Sequence, residues 1–281
     1  MDLQHLRQWI GRTERQTDEF TASAVAAMGA TLDRQDPELL MGFDVPALWH
    51  WMLFKPVVRQ SELGVDGHPA RGSFLPPVPL PRRMWAGGRL EFHHPLQVGE
   101  EASRTSRIAD VSAKEGKSGS LVFLTVRHEL HNARGLVLTE DQDIVYRGES
   151  STRDGERAIH PAPTGHEFSR EIVPNPVLLF RYSALTFNAH RIHYDRTYAR
   201  ETEGYPGLVV HGPLLATLLL DLLLRHRPDA HVRRFSFKAV SPLFDLEPLA
   251  LCGKRDPSGA VALWAQGVQG ELAMSARAEL A

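Results

Sequence analysis

The sequence predicts an α+β chain that builds the same unit twice, a long apolar helix wrapped by an antiparallel sheet. Three observations carry this. Each half holds a run that is apolar nearly all round with a proline near its start, residues 45–55 with Pro46 and residues 212–225 with Pro213. Proline is harmless there, because the first N–H groups of a helix have no partner within it. Each run is followed by segments of alternating apolar and polar residues separated by turn chemistry, as in half-buried antiparallel strands. Short phrases also recur at matching places: Arg89-Leu-Glu-Phe92 before Pro95, and Arg234-Phe-Ser-Phe237 before Pro242.

In chain order, residues 20–28 form a short helix or a strand-to-helix lead-in, and residues 45–55 the first apolar helix. Residues 64–81 are so rich in Pro and Gly that only a loop fits. Strands are expected at 88–93, 102–111, 119–132 and 137–147, with hairpin turns at 115–119 and 132–135. The charged, proline-containing stretch 149–164 reads as a linker. The second half repeats the plan with a lead-in at 180–186 and the helix at 212–225. Its strands follow at 232–239, 247–254, 260–267 and 272–280, with a turn at 256–259. A helix this apolar must be covered on most sides, so the sheet should wrap it. That is the hot-dog arrangement, and two copies make a double hot dog, with an N-terminal half at 1–150 and a C-terminal half at 165–281. The competing reading is an unrelated α+β fold with chance internal similarity.

The bulk chemistry narrows the function classes. The chain has 281 residues, of which 42% are hydrophobic and 23% charged, with a formal net charge of -2. That balance argues against nucleic acid and anionic membranes as partners, while leaving room for a local basic patch. The single cysteine, Cys252, forbids an intrachain disulfide or a thiolate metal cage and fits a cytoplasmic protein. Residues 1–20 mix Arg7, Arg12 and Arg15 with acids and lack the apolar centre of a signal peptide. The longest apolar run, 214–224, is interrupted by Asp221 and too short to span a bilayer.

Repeats bury their apolar faces alike, so function is expected where one copy departs. Between lead-in and helix the second half reads Leu185-Thr-Phe-Asn-Ala-His-Arg-Ile-His-Tyr-Asp195, then Glu203-Gly-Tyr-Pro-Gly-Leu-Val-Val-His-Gly212. The first half has only Thr31-Leu-Asp-Arg-Gln-Asp-Pro-Glu38, without histidine. One active site per chain is therefore expected, in the C-terminal half, with the N-terminal half shaping the substrate site.

This segment resembles the MaoC-like, (R)-specific enoyl-CoA hydratase superfamily. The family signature is Gly-Asp-x-Asn-Pro-(Ile/Leu)-His-x-Asp, followed by Pro-x-x-Val-His-Gly at the start of the central helix. Onto it fall Phe187, Asn188, His190, Arg191, Ile192, His193 and Asp195, and later Val210, His211 and Gly212. The resemblance implies hydration of an α,β-unsaturated acyl-CoA, with Asn188 and His193 on the water and the Gly212 N–H on the thioester oxygen. Asn188 stands where the family carries its aspartate. The closer likeness is to the branch of mesaconyl-C4-CoA and itaconyl-CoA hydratases and 3-hydroxyacyl-thioester dehydratases, which is also alike around Leu80-Pro-Arg-Arg-Met-Trp-Ala-Gly-Gly88.

The residue chemistry agrees. A histidine is the side chain best matched to moving protons near neutral pH. An amide cannot take up a proton but can hold a water. His193 is thus expected as general base and acid, with Asn188 orienting the water. Asp195 or a backbone carbonyl fixes the imidazole tautomer, and His190 and Arg191 support the loop. Gly212 opens a helix whose first N–H groups lack partners, and such donors stabilise an oxyanion by about 3 kcal/mol. Arg82 and Arg83 beside Trp85 could bind CoA phosphates or a substrate carboxylate, since guanidinium pairs with carboxylate bidentately. The expected substrate is an acyl-CoA, with no metal and no cofactor, and the chain acts as a monomer or homodimer. The resemblance points to a branched C5 dicarboxylic acyl group; a 3-hydroxyacyl-thioester dehydratase of fatty-acid type, a hot-dog thioesterase relying on Asp221, a non-catalytic acyl-binding subunit, and His190, His193, Asp195 and His211 as a metal set are the alternatives.

Overall fold

A computed structural model describes residues 1–35, 41–116, 119–148 and 160–281. Most of the expected linker, the tip of the 115–119 turn and residues 36–38 of the first-half segment lie outside the described residues. A short helix α1 (Leu3–Arg7) precedes the first unit. That unit runs β1 (Thr13–Glu19), α2 (Ala22–Thr31), β2 (Arg82–Phe92), β3 (Glu101–Gly116), β4 (Gly119–Asn132) and β5 (Gly135–Arg147). The second runs β6 (Phe168–Ile172), α3 (Pro176–Thr186), α4 (Gly212–His226), β7 (Val232–Ala239), β8 (Leu249–Arg255), β9 (Val261–Gln266) and β10 (Leu272–Leu280).

The strands form one antiparallel sheet in the order β1-β3-β4-β5-β2-β7-β10-β9-β8-β6. Read from its middle outward, this is the same five-strand order twice, so the double hot dog is realised as two half-sheets joined edge to edge. The seam pairs β2 with β7 from Gly87↔Lys238 to Glu91↔Arg234. A Cβ at Gly87 would stand 2.6 Å from the Phe237 carbonyl oxygen, so a glycine is needed for the two halves to meet this closely.

Helix α4 is wrapped as its composition demands. Leu214 to Leu223 are all buried in the core that also holds leucines of β8, β9 and α3 and the aromatic residues of β7. Its counterpart in the first half is different. Residues 45–55 do not form a helix: a single 3₁₀ turn, Trp49–Met52, lies between left-handed residues Leu48 (φ 72°) and Phe54 (φ 54°). The side chains are buried as the apolar pattern requires, but two polar groups decide the backbone. His50 Nε2 and Trp51 Nε1 both reach the buried Glu140 carboxylate on β5, each at 3.0 Å.

Two further differences concern strands. β2 begins at Arg82 rather than 88, so Arg82, Arg83 and Trp85 lie on the strand itself. The outermost strands, β1 and β6, escape the sequence pattern because they are polar edges. β1 reads Thr-Glu-Arg-Gln-Thr-Asp-Glu, and charge along an edge deters pairing with other chains.

Candidate active site

A cavity of about 550 Å³ opens where the N-terminus of α4, the seam strand β2 and the loop after α3 converge. His193, Asn188, Gly212, His190, Arg82, Arg83 and Trp85 line it. Asp195 and Arg191 are not among the lining residues.

Helix α3 sets the first part of the site. Its Asn175 N-cap accepts from the Leu178 N–H, and Phe187, left-handed at φ 52°, ends it. That turn delivers Asn188, whose Oδ1 accepts from the His190 N–H at 3.0 Å. Asn188 lines the cavity, and among the described residues its amide NH₂ has no hydrogen-bond partner.

His193 is buried within a 3₁₀ turn, and its Nδ1 lies 2.8 Å from the Val209 carbonyl oxygen. A carbonyl only accepts, so the proton sits on Nδ1 and Nε2 is the basic nitrogen. Burial lowers its pKa to about 4, opposed by the Val209 carbonyl and reinforced by His68. The imidazole is neutral at pH 7, as a base must be. The tautomer is therefore set by the backbone and not by Asp195. Asp195 instead accepts from Arg191 at 2.7 Å and from the Tyr198 N–H at 3.0 Å. Arg191 also stacks over Tyr198 and donates to the Val65 carbonyl, so both residues hold loops together.

His211, directly before α4, stacks on His193 with ring centroids 3.7 Å apart and bonds Ser183 Oγ through Nε2 at 2.8 Å. It is fully buried and its pKa is lowered well below the ordinary value, chiefly by that burial. A neutral ring thus fixes the plane of His193. Beyond it, the Gly212 N–H begins α4 and has no hydrogen-bond partner among the described residues. Trp85 approaches this point: its carbonyl oxygen is 3.8 Å from where a Gly212 Cβ would be. The indole donates to the Gly87 carbonyl and packs edge-on against Trp51 and Phe237.

The two arginines part company. Arg82 is engaged by Glu203, through the carboxylate at 3.8 Å and the main-chain carbonyl at 3.3 Å. Among the described residues no carboxylate pairs with Arg83, which lines the cavity with His68 and also lies near the buried Tyr146.

The sequence reading missed Asp66 and His68. Both come from the Pro/Gly-rich loop of the first half and line the same cavity. His68 Nδ1 lies 3.0 Å from Asp66 Oδ2, and the His68 ring packs on His190 with centroids 4.1 Å apart. Ligand atoms of Asp66, His68 and His190 lie within 4.8 Å of one another, a grouping different from the four-residue metal set considered above. The only local signal was Asp66-Gly-His68, a turn in which the aspartate accepts from the main chain two residues on. Asp221, the carboxylate a thioesterase would need, is buried under Arg34, Arg170 and Arg225 and does not line the cavity.

Residues 48–245 match the family described as hydroxyacyl-thioester dehydratase type 2. The chain is 47% identical over 273 residues to the mesaconyl-C(4)-CoA hydratase of Chloroflexus aurantiacus, covering 97% of this chain and 96% of that one. It is 31% identical over 229 residues to the mitochondrial hydroxyacyl-thioester dehydratase type 2 of Schizosaccharomyces pombe, covering 73% and 76%. Among solved structures, a MaoC-like dehydratase from Phytophthora capsici superposes with a TM-score of 0.72 at 15% identity, covering 100% of this chain and 99% of that one. At that identity the likeness speaks for the fold alone.

Proposed function

The chain belongs to the hydroxyacyl-thioester dehydratase type 2 family, and on that footing we propose that it is a hydro-lyase acting on acyl-CoA thioesters. It hydrates an enoyl-CoA and, in reverse, dehydrates a 3-hydroxyacyl-CoA. The substrate is a branched C5 dicarboxylic thioester, mesaconyl-C4-CoA or itaconyl-CoA, giving citramalyl-CoA. One observation carries the reading: a neutral imidazole with its proton held on Nδ1 shares a cavity with the N–H that opens α4, which has no partner among the described residues.

The roles follow from the chemistry. His193 Nε2 takes a proton from the water that attacks the β-carbon, while Asn188 orients that water. The Gly212 N–H, at the positive end of α4, stabilises the thioester oxygen as it gains charge. Arg83, on the first-half strand β2, meets the distal carboxylate. The first half thereby shapes the substrate site. Adding or removing water needs no electron carrier, so the CoA thioester is substrate and no cofactor enters. The paired sheet is complete within one chain, which supports a monomer over the homodimer. A cytoplasmic setting is supported by the single buried cysteine, and no described helix is long and apolar enough to cross a membrane.

The test is one assay with crotonyl-CoA, mesaconyl-C4-CoA and itaconyl-CoA. Loss of enoyl-thioester absorbance with crotonyl-CoA or mesaconyl-C4-CoA, and formation of the hydroxyacyl product from itaconyl-CoA, without release of free CoA, are expected. Release of thiol would mean hydrolysis, and no change with any substrate would leave a binding subunit. His193→Ala should lower turnover about 10²–10⁴-fold, the usual range for losing a general base. Full retained activity would remove His193 from the mechanism.

A further inference from the structure

Asn188 occupies a position that a proton-accepting carboxylate would fill in related sites, and an amide cannot carry a proton. A carboxylate nevertheless reaches the cavity, from the other half of the chain. The loop around Asp66 is fastened to the motif loop at several points. The Arg191 N–H donates to the Asp66 carbonyl at 3.0 Å, and the Arg191 guanidinium donates to the Val65 carbonyl at 3.1 Å. Gly67, at φ +87°, lies so close to Ala189 that a Cβ would stand 1.9 Å from its carbonyl oxygen. Within the loop, Gly64 donates to the His68 carbonyl at 2.7 Å. The loop is built to hold its two polar side chains against the site.

The Asp66–His68 pair has the form of a carboxylate-backed imidazole. The carboxylate accepts from Nδ1, so Nε2 is the basic nitrogen of His68, as it is of His193. Burial alone would raise the Asp66 carboxyl, but hydrogen bonds from the His68 ring and main chain hold it well below the usual range. It is therefore ionised behind the ring. The groups facing His68 are Asp66, Arg71, Arg83 and His190, and burial leads these in keeping the resting ring neutral. His190, between His68 and His193, is pushed by burial down to about 2 and adds no charge.

We infer that His68 is a second catalytic residue of the hydration reaction, with Asp66 as its positioning residue. The inference rests on the hydratase reading above. In the hydration of a conjugated enoyl thioester such as mesaconyl-C4-CoA, His193 Nε2 takes one proton from water as the oxygen bonds to the β-carbon. The π pair moves onto the α-carbon and the thioester oxygen. The proton crosses the shared cavity to His68 Nε2, where Asp66 stabilises the imidazolium, and passes to the α-carbon with the enolate's electron pair. One O–H bond and one π bond are broken, one C–O and one C–H bond are formed, and both imidazoles end neutral. His193 has only a carbonyl behind it, so the carboxylate-backed ring is the better place for a positive charge in transit.

The experiment compares wild type with His68→Gln, His68→Ala and Asp66→Asn, with thermal melts beside the kinetics. kcat should fall about 10²–10⁴-fold in the His68 variants, with KM within about threefold. Added imidazole should restore part of the activity of His68→Ala, which a merely structural role would not allow. Asp66→Asn keeps the shape of the side chain, so its kcat loss with an unchanged melt carries the test if the His68 variants do not fold. Variants within threefold of wild-type kcat, a loss confined to KM, or no rescue of a folded His68→Ala would overturn the inference. So would wild-type activity that a chelator removes and zinc restores, because Asp66, His68 and His190 would then be metal ligands. A wild type that hydrates none of the thioesters sinks the hydratase reading itself; an active wild type with unaffected variants sinks only the role of His68.

Discussion

Arg83 differs from its neighbour Arg82 by one position on β2, yet the two have different work to do. Arg82 is tied to Glu203, while Arg83 has no carboxylate partner among the described residues and lines the cavity. An arginine with no anion beside it in a half-enclosed site is suited to a ligand that brings one, and its fork matches a carboxylate bidentately. The expected consequence is selective. Arg83→Ala should raise KM for mesaconyl-C4-CoA and itaconyl-CoA at least tenfold, the loss of a charge-assisted contact of about 1.5–3 kcal/mol. KM for crotonyl-CoA, which has no second carboxylate, should hold steady. Parallel Michaelis curves on the three thioesters decide it, and an equal rise for all would move Arg83 from the acyl group to the CoA phosphates. At this scale the sequence was informative where motif residues lie close together: Asn188, His190, His193 and Gly212 meet in one cavity. It was silent on Asp66 and His68, which sit more than a hundred positions away in a loop whose composition signals only turns.

Among the elements, the 45–55 segment is the one whose form could not be read from apolar pattern. Periodicity reports burial, and Trp49, His50, Met52, Leu53 and Phe54 are indeed buried. It does not report that Glu140, ninety residues on, will accept from His50, Trp51 and Gln142. Helices α4 and strands β7 and β10 were legible almost to the residue, because each is closed by local chemistry: Gly212-Pro213 at the start of α4, and turns on either side of the strands. Glu140 is the pin for the irregular segment. Burial would raise its pKa, but hydrogen bonds and charge from His50 and His128 and the Gln142 amide lower it to about 2, so it is ionised. Removing the carboxylate leaves the His50, Trp51 and Gln142 groups that bond it without an acceptor, at about 1–3 kcal/mol for each buried group left unsatisfied. Glu140→Ala should therefore lower the melting temperature by many degrees, and Glu140→Gln by less, since an amide oxygen still accepts. Denaturant titration of both variants reads the difference; a Glu140→Ala protein as stable as wild type would mean that the turn is held by its apolar contacts alone.

Across the whole molecule, the two half-sheets share one apolar core that runs from Phe20 and Trp49 to α4 and β10. The seam and that core make unfolding of either half expose the other, so one cooperative transition is expected. Its pH dependence follows from the histidines the core and cavity enclose. Burial lowers His128 and His193 to about 4 from 6.5, lowers His190 to about 2, and lowers His68 and His211 as well. Unfolded, each would titrate near 6.5, so between pH 6.5 and the folded values the unfolded chain binds more protons. Stability is then fully present above about pH 6.5 and is lost as the pH falls through this window. Glu140 adds to the same side, its contribution being lost only between 4.5 and about 2. At 1.36 kcal/mol per unit, His128 and His193 alone withhold on the order of a few kcal/mol each at acid pH. The melting temperature should therefore be level from pH 7 to 8 and drop steeply from pH 6.5 to 5. His128→Gln should flatten that slope, because it removes one titrating ring that does not line the cavity, while an amide still meets Ser106, which the ring now bonds at 2.9 Å. Scanning calorimetry across that range reads both. Equal melting temperatures at pH 7 and pH 5 would mean that these rings open to water before they charge, and that His193 is less enclosed than its role as a neutral base requires.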